Sequence, residues 1–207
     1  DANYSPENAV KWALKKGLDG IAIADHNSIE GYFRAKKIAP EEFLVIPAIE
    51  VSTAVGHVLA YGVEDIVPRD KSIGETLDTI ADMGAVAVIP HPYRFWSGVG
   101  ERVCREVARK VAAIETINGM STERHNRRAK ILAEELGLPS TGGSDAHRIW
   151  QIGKAYTEFD DQDVESVLSD IKAGRCTAVG AGRGVGETLD YAFRSVLGWI
   201  KRGMKRI

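Results

Sequence analysis

Gly142-Gly143-Ser144-Asp145-Ala146-His147 is the stretch that decides how this chain is read. A turn of small residues ends in a carboxylate and an imidazole two positions apart. Read as the end of a buried strand, Ser140 to Gly143 sets Asp145 and His147 at a C-terminal strand mouth, where β/α proteins keep their chemistry. The rest of the chain supplies partners. His26 follows Ala24-Asp25, Glu50 follows Pro47-Ala48-Ile49, His57 follows Gly56, and His91 precedes Pro92. Four of the five histidines thus stand at an end of an apolar run. One such histidine is ordinary, but four beside Asp and Glu describe a ligand cluster.

Outward from that stretch the chain alternates strand and helix. Ser5-Pro6-Glu7 starts a helix, with Ser as N-cap and Pro in the first turn, and Gly17 ends it. Leu18 to Ala24 is a predicted strand closing on Asp25-His26-Asn27, and 29–38 a short helix. Phe43 to Ser52 is the next strand. Its Glu50, between Ile49 and Val51, is costly to bury unless paired or bound to a cation. His57 to Gly62 is a strand reached through the Thr53 to Gly56 turn. Ser72 to Met83 is a helix, and Ala85 to Pro90 a strand that delivers His91-Pro92-Tyr93-Arg94. Glu101 to Lys110, Thr122 to Leu136 and 162–173 are further helices; Ala112 to Asn118, Pro139 to Gly143, Lys154 to Phe159 and Cys176 to Val179 are strands. Short connections between alternating elements predict a parallel sheet in an α/β protein, and a nearly closed barrel brings the strand ends to one mouth.

Composition narrows the partners. At 207 residues, 44% hydrophobic and 27% charged, the chain suits one large domain, and a net charge of −2 offers no general attraction to nucleic acid or acidic lipid. Cys104 and Cys176, without C-x-x-C spacing, read as free thiols of a reducing compartment. The absence of a signal peptide or long apolar run predicts a cytoplasmic protein and makes membrane association an unfavoured reading. Residues 1–180 are expected to form the main domain. Residues 181–207 read as a glycine-rich joint, Ala181 to Gly186, followed by a basic amphipathic helix. That helix suits covering the barrel's flank better than lying on a membrane or a partner.

Imidazole and carboxylate are a ligand set for Zn, Mn or Fe. A Glu among His ligands can bridge two ions, which can hold a hydroxide and clamp a phosphoryl or acyl oxygen. This predicts hydrolysis without a protein nucleophile. Arg94 and Arg148 each lie within three residues of a presumed ligand and are candidates to hold phosphate oxygens.

The ordered motifs Ala24-Asp25-His26-Asn27, Ile49-Glu50-Val51-Ser52, Gly56-His57-Val58-Leu59, His91-Pro92 and Gly143-Ser144-Asp145-Ala146-His147 resemble those of the PHP (polymerase and histidinol phosphatase) phosphoesterases. Ile114-Glu115-Thr116-Ile117-Asn118 before a helix is similar too. The resemblance implies a distorted seven-stranded, TIM-like β/α barrel with two to three divalent ions (Zn, Mn or Fe) at its mouth. Metal ligands then fall on Asp1, His26, Glu50, His57, His91, Asp145 and His147. Glu50, Asp145 and His147 take the catalytic roles, while Arg94, Arg148 and Asn118 are the substrate-binding candidates. The implied reaction is hydrolysis of a phosphomonoester or a nucleotide or oligonucleotide phosphate through a metal-bridged hydroxide. The implied partners are a small phosphorylated substrate or nucleotide, with short nucleic acid as a further class. The family's first strand, carrying His-x-His, would precede Asp1, and the numbered chain is expected to omit it.

Two other classes compete. A non-catalytic PHP-like binding module with a degenerate metal site would engage its partner through the basic terminal helix. An amidohydrolase-like enzyme would carry a ligating lysine at a strand end, whereas Lys154 begins its strand.

Overall fold

Ser5 caps the first helix, α1 (Pro6–Lys15), by accepting a hydrogen bond from the backbone of Asn8 at 3.3 Å, and Pro6 supplies the preset first-turn backbone. In the computed structural model, which describes residues 2–160 and 163–184, the chain then alternates as its patterning requires. The elements that follow are β1 (Gly20–His26), α2 (Glu30–Ile38), β2 (Leu44–Thr53), β3 (Gly56–Tyr61), α3 (Ile73–Asp82), β4 (Val86–Ile89), α4 (Gly100–Val107) and β5 (Ala113–Asn118). The rest are α5 (Glu123–Leu136), β6 (Ser140–Gly143), β7 (Ala155–Glu158), α6 (Val164–Ala173) and β8 (Thr177–Gly180). Ser72 and Glu75 close a reciprocal capping box on α3, and Gly137 ends α5 in the left-handed conformation.

Strands β1 to β6 form one curled half-barrel sheet in sequence order, and β7 and β8 pair as a separate antiparallel ribbon. The sequence reading expects seven strands in one barrel; six make the continuous sheet among the described residues. The ribbon meets β6 through side-chain bonds instead of a ladder. The Thr157 hydroxyl accepts from Gly142 N and donates to Gly142 O, both at 2.9 Å. A Cβ at Gly142 would overlap the Tyr156 carbonyl, so glycine is what lets β7 approach.

The sheet is mixed where the sequence reading expects a parallel one. β1–β2, β4–β5 and β5–β6 are parallel, but β3 runs antiparallel to both β2 and β4. The cause is local. Thr53 pairs with Gly56 across a two-residue turn, and so short a connection can only reverse the chain, since a parallel neighbour needs a crossover. The reversal positions the site. It brings the first residues of β3 to the same end of the sheet as the last residues of β1.

Ile49, Ile89 and Ile114, from β2, β4 and β5, are fully buried together with Leu77 and Ile80 of α3 and Leu132 of α5. Burying an aliphatic chain of that size contributes about 2 kcal/mol. The sheet is therefore held on its helix-covered side. Asp1 and the predicted terminal helix lie outside the described residues.

Candidate metal centre

Glu50 is the centre of the strand mouth. His26 is paired in register with Glu50 across β1–β2, and His57, opposite Ser52, is its diagonal neighbour across β2–β3. His57 Nδ1 lies 2.7 Å and His91 Nε2 3.0 Å from Glu50 Oε1, while His26 Nδ1 lies 3.7 Å from Oε2. The His26 and His57 ring centroids are 4.8 Å apart, and those of His57 and His91 5.9 Å. One carboxylate thus faces three imidazoles. Ligand atoms of His26, Glu50 and His57 lie within 4.8 Å of one another, a spacing that suits one shared cation.

A second cluster stands at the ends of β5 and β6. His147 Nδ1 is 3.3 Å from Asp145 Oδ1, and Arg94 Nη1 is 2.6 Å from Asp145 Oδ2. Asn118 Nδ2 donates to Asp145 Oδ2 at 3.2 Å and to Glu115 Oε2 at 2.9 Å. The other face of Glu115 Oε2 accepts the His91 backbone N–H at 3.0 Å. Glu115 therefore joins the two clusters. Sequence reasoning quoted Glu115 in a motif but assigned it no role, although it carries the signal that singled out Glu50, a carboxylate inside an apolar strand.

Electrostatics follow from burial. Burial pushes the His26 imidazole below its ordinary range, and burial with the nearby Arg94 charge does the same to His91. Burial opposes ionisation of Glu50, yet the hydrogen bonds from His57 and His91 hold it well below the usual carboxylate range. Asp145 is likewise lowered against burial by Arg94 and His91. Glu115 goes the other way, pushed up to about 8 by burial and by the Asp145 charge.

The backbone is unusual at the same places. Asn27, His91 and Asp145 adopt positive φ of 55°, 29° and 48°, at the ends of β1, β4 and β6. Such conformations cost about 1–3 kcal/mol each and cluster where a site requires them. They are locally supported. Asn27 Nδ2 donates to Ser52 Oγ at 3.0 Å, and Gln151 Oε1 accepts from the His147 and Arg148 backbones at 2.9 and 2.8 Å.

His26, Glu50, His91, Asn118, Asp145 and His147 line one open cleft of about 1150 Å³. His57 reaches it through Glu50. Arg148 instead places its guanidinium 5.1 Å from the centre of the Trp150 ring. The residues fit a metal. The donors are imidazole nitrogen and carboxylate oxygen, burial favours the neutral, ligating form of two imidazoles, and His91 Nδ1 is buried with no hydrogen-bond partner among the described residues.

A family model described as PHP-associated matches residues 123–176. The fold is similar, with a TM-score of 0.73 and 16% identity, to a two-domain protein of Bacteroides vulgatus containing a predicted PHP-like metal-dependent phosphoesterase, over 87% of this chain and 61% of that one. These matches support the resemblance to PHP domains. Two uncharacterized proteins of Methanocaldococcus jannaschii are similar in sequence. One, MJ1587, is 33% identical over 50% of this chain and 61% of its own length; the other, MJ0417, is 29% identical over 75% and 63%. The chain thus spans about three fifths of the length of the curated relatives it matches. No helix among its described residues is long and apolar enough to cross a membrane.

Proposed function

We propose that this PHP-like domain hydrolyses a phosphate ester, a phosphomonoester or a nucleotide or oligonucleotide phosphate, using divalent cations held at the mouth of its sheet. The observation that supports this reading is the grouping of three imidazoles on Glu50, with Asp145 and His147 beside them on the same cleft. Glu50, His26, His57 and His91 would hold one part of a two- to three-ion centre, and Asp145 and His147 the other. Bound Zn, Mn or Fe would supply Lewis-acid stabilisation of the phosphoryl oxygens and an activated water.

The protein's own groups orient the ligands. Arg94, largely buried and paired with Asp145, would orient that carboxylate toward its cation. Asn118 fixes Asp145 through its amide. His147, whose side chain is 46% exposed, is, among the described residues, the candidate ligand most open to an incoming ester. A seventh strand against the outer edge of β1 would complete the barrel that the PHP resemblance implies.

The test is elemental analysis of protein purified without chelator, from the gene with its native start, combined with phosphatase assays on p-nitrophenyl phosphate and nucleotides. Two or more divalent ions per chain, and turnover lost in His91→Ala and Asp145→Ala, are expected. Absence of stoichiometric metal, with no turnover in Zn, Mn or Fe, would leave a binding module in place of the enzyme.

A further inference from the structure

The segment before α1 is bonded to the loop after β6. The Tyr4 hydroxyl donates to the Ala146 carbonyl at 2.6 Å, across 142 residues of sequence, and the Asn3 backbone N–H donates to the His147 carbonyl at 3.2 Å. Ala146 stands between Asp145 and His147. Both contacts thus grip the three-residue segment that carries two candidate ligands. Tyr4, Asp145, Ala146 and His147 all line the same cleft.

Packing accounts for the Tyr4 ring and leaves its hydroxyl unexplained. The ring stands just before the Ser5 N-cap, where an apolar group fixes the entry of a helix, and it packs against the main core. Phenylalanine would serve that purpose equally. The bond to Ala146 is what tyrosine adds.

That bond falls where the backbone needs holding. Asp145 has a φ of 48°, a conformation that persists only when its surroundings impose it. His147 is 46% exposed at its side chain, against 17%, 20% and 2% for His26, His57 and His91. Packing therefore confines its ring least, and where the ring can reach depends on how its backbone is fixed. From within the loop, Gln151 Oε1 accepts the His147 and Arg148 N–H groups, and His147 Nδ1 lies 3.0 Å from the Asp145 carbonyl. A carbonyl in that place takes an N–H and leaves Nε2 the lone pair that a cation needs. From outside the loop, Tyr4 and Asn3 fix the two carbonyls that follow.

We propose that Tyr4 is a positioning residue of the metal centre, whose hydroxyl holds the Asp145–His147 segment so that His147 meets its cation. This rests on the reading that divalent cations occupy the sheet mouth, and adds to it a residue outside the ligand motifs. A partner that orients a metal ligand in this way is worth about tenfold to a hundredfold in metal affinity.

The experiment measures zinc affinity by competition with a chromophoric chelator, on the full chain, in wild type, Tyr4→Phe, His147→Ala and Tyr4→Phe/His147→Ala. Tyr4→Phe keeps the ring in the core and removes the hydroxyl alone. It should weaken one zinc by about tenfold or more. In the His147→Ala background the same substitution should change zinc affinity no further, because positioning acts through that ligand and the two effects are then not additive. Zinc held equally tightly by Tyr4→Phe and wild type would overturn the proposal. So would an equal weakening with and without His147, which would make the hydroxyl a support of the fold alone. Both of these outcomes leave the metal reading standing, whereas a wild type that binds no stoichiometric zinc overturns the two together.

Discussion

Arg94 Nη1 lies 2.6 Å from Asp145 Oδ2, and both side chains are largely shielded, at 16% and 11% exposure. The pair spans 51 residues of sequence and joins the loops after β4 and β6. This guanidinium and the Asn118 amide compensate the Asp145 charge. Removing one member of such a buried pair leaves the other uncompensated, a loss of about 3–5 kcal/mol.

Arg94→Met is therefore expected to destabilise metal-free protein by about 3 kcal/mol. Added Zn or Mn should recover a large part of this, because a cation at Asp145 replaces the lost charge. Urea denaturation with and without metal measures both effects. A variant equally destabilised in the two conditions would show that Asp145 does not meet the cation.

Glu115 makes stability depend on pH. Its carboxyl rises from the ordinary 4.5 to about 8 in the fold, so the folded state holds a proton that the unfolded chain releases. The contribution is complete below pH about 4.5 and is lost as pH rises through about 8. Metal-free Glu115→Gln should show a flatter stability profile than wild type between pH 5 and 8.5. Glu50 and Asp145, both lowered, act in the opposite sense and in another window, losing their contribution only in acid. Denaturant titrations across this range, wild type against variant, separate the two.

Gly143 is small because of Glu115. A Cβ at this position would overlap Glu115 Oε1, and Glu115 is 4% exposed with its other oxygen tied to His91 and Asn118. Gly143→Ala should lower stability by about 1–3 kcal/mol through overpacking. It should also weaken cation binding, because Glu115 can retreat only by pulling on His91. Thermal melting and metal titration of the variant measure these effects. An unchanged melt would show that the carboxyl moves freely.

Cation binding should stabilise the fold through His57. A ligand at one hundred times its Kd adds about 2.7 kcal/mol, so chelator should lower the melting temperature of metal-loaded wild type. In His57→Ala the difference with and without chelator should shrink, since Glu50 loses its 2.7 Å partner and the shared cation a ligand. Calorimetry in both conditions measures it. A full chelator effect in the variant would remove His57 from the centre.

Local sequence determined the parts of this protein that depend on neighbours along the chain. Ser5, Ser72 and Thr122 cap the helices where their spacing places them, Gly137 ends α5, and the apolar runs become strands whose ends carry His26, His91 and Asp145. Capping and apolar periodicity act over a few residues, so they can be read in order. Glu50 was legible as well, because a carboxylate between Ile49 and Val51 demands an explanation wherever the strand goes. Tertiary structure alone decided the rest. It turned β3 against its neighbours, so that His57 at a strand start reaches the same mouth as His26 at a strand end. It set the open half-barrel with β7–β8 as a ribbon, through the close approach at Gly142. It also brought Glu115 to the His91 backbone and Arg94 to Asp145, contacts 24 and 51 residues apart in the chain. Such contacts depend on which strands become neighbours and how closely glycine lets them pack, and no local window of sequence contains that information.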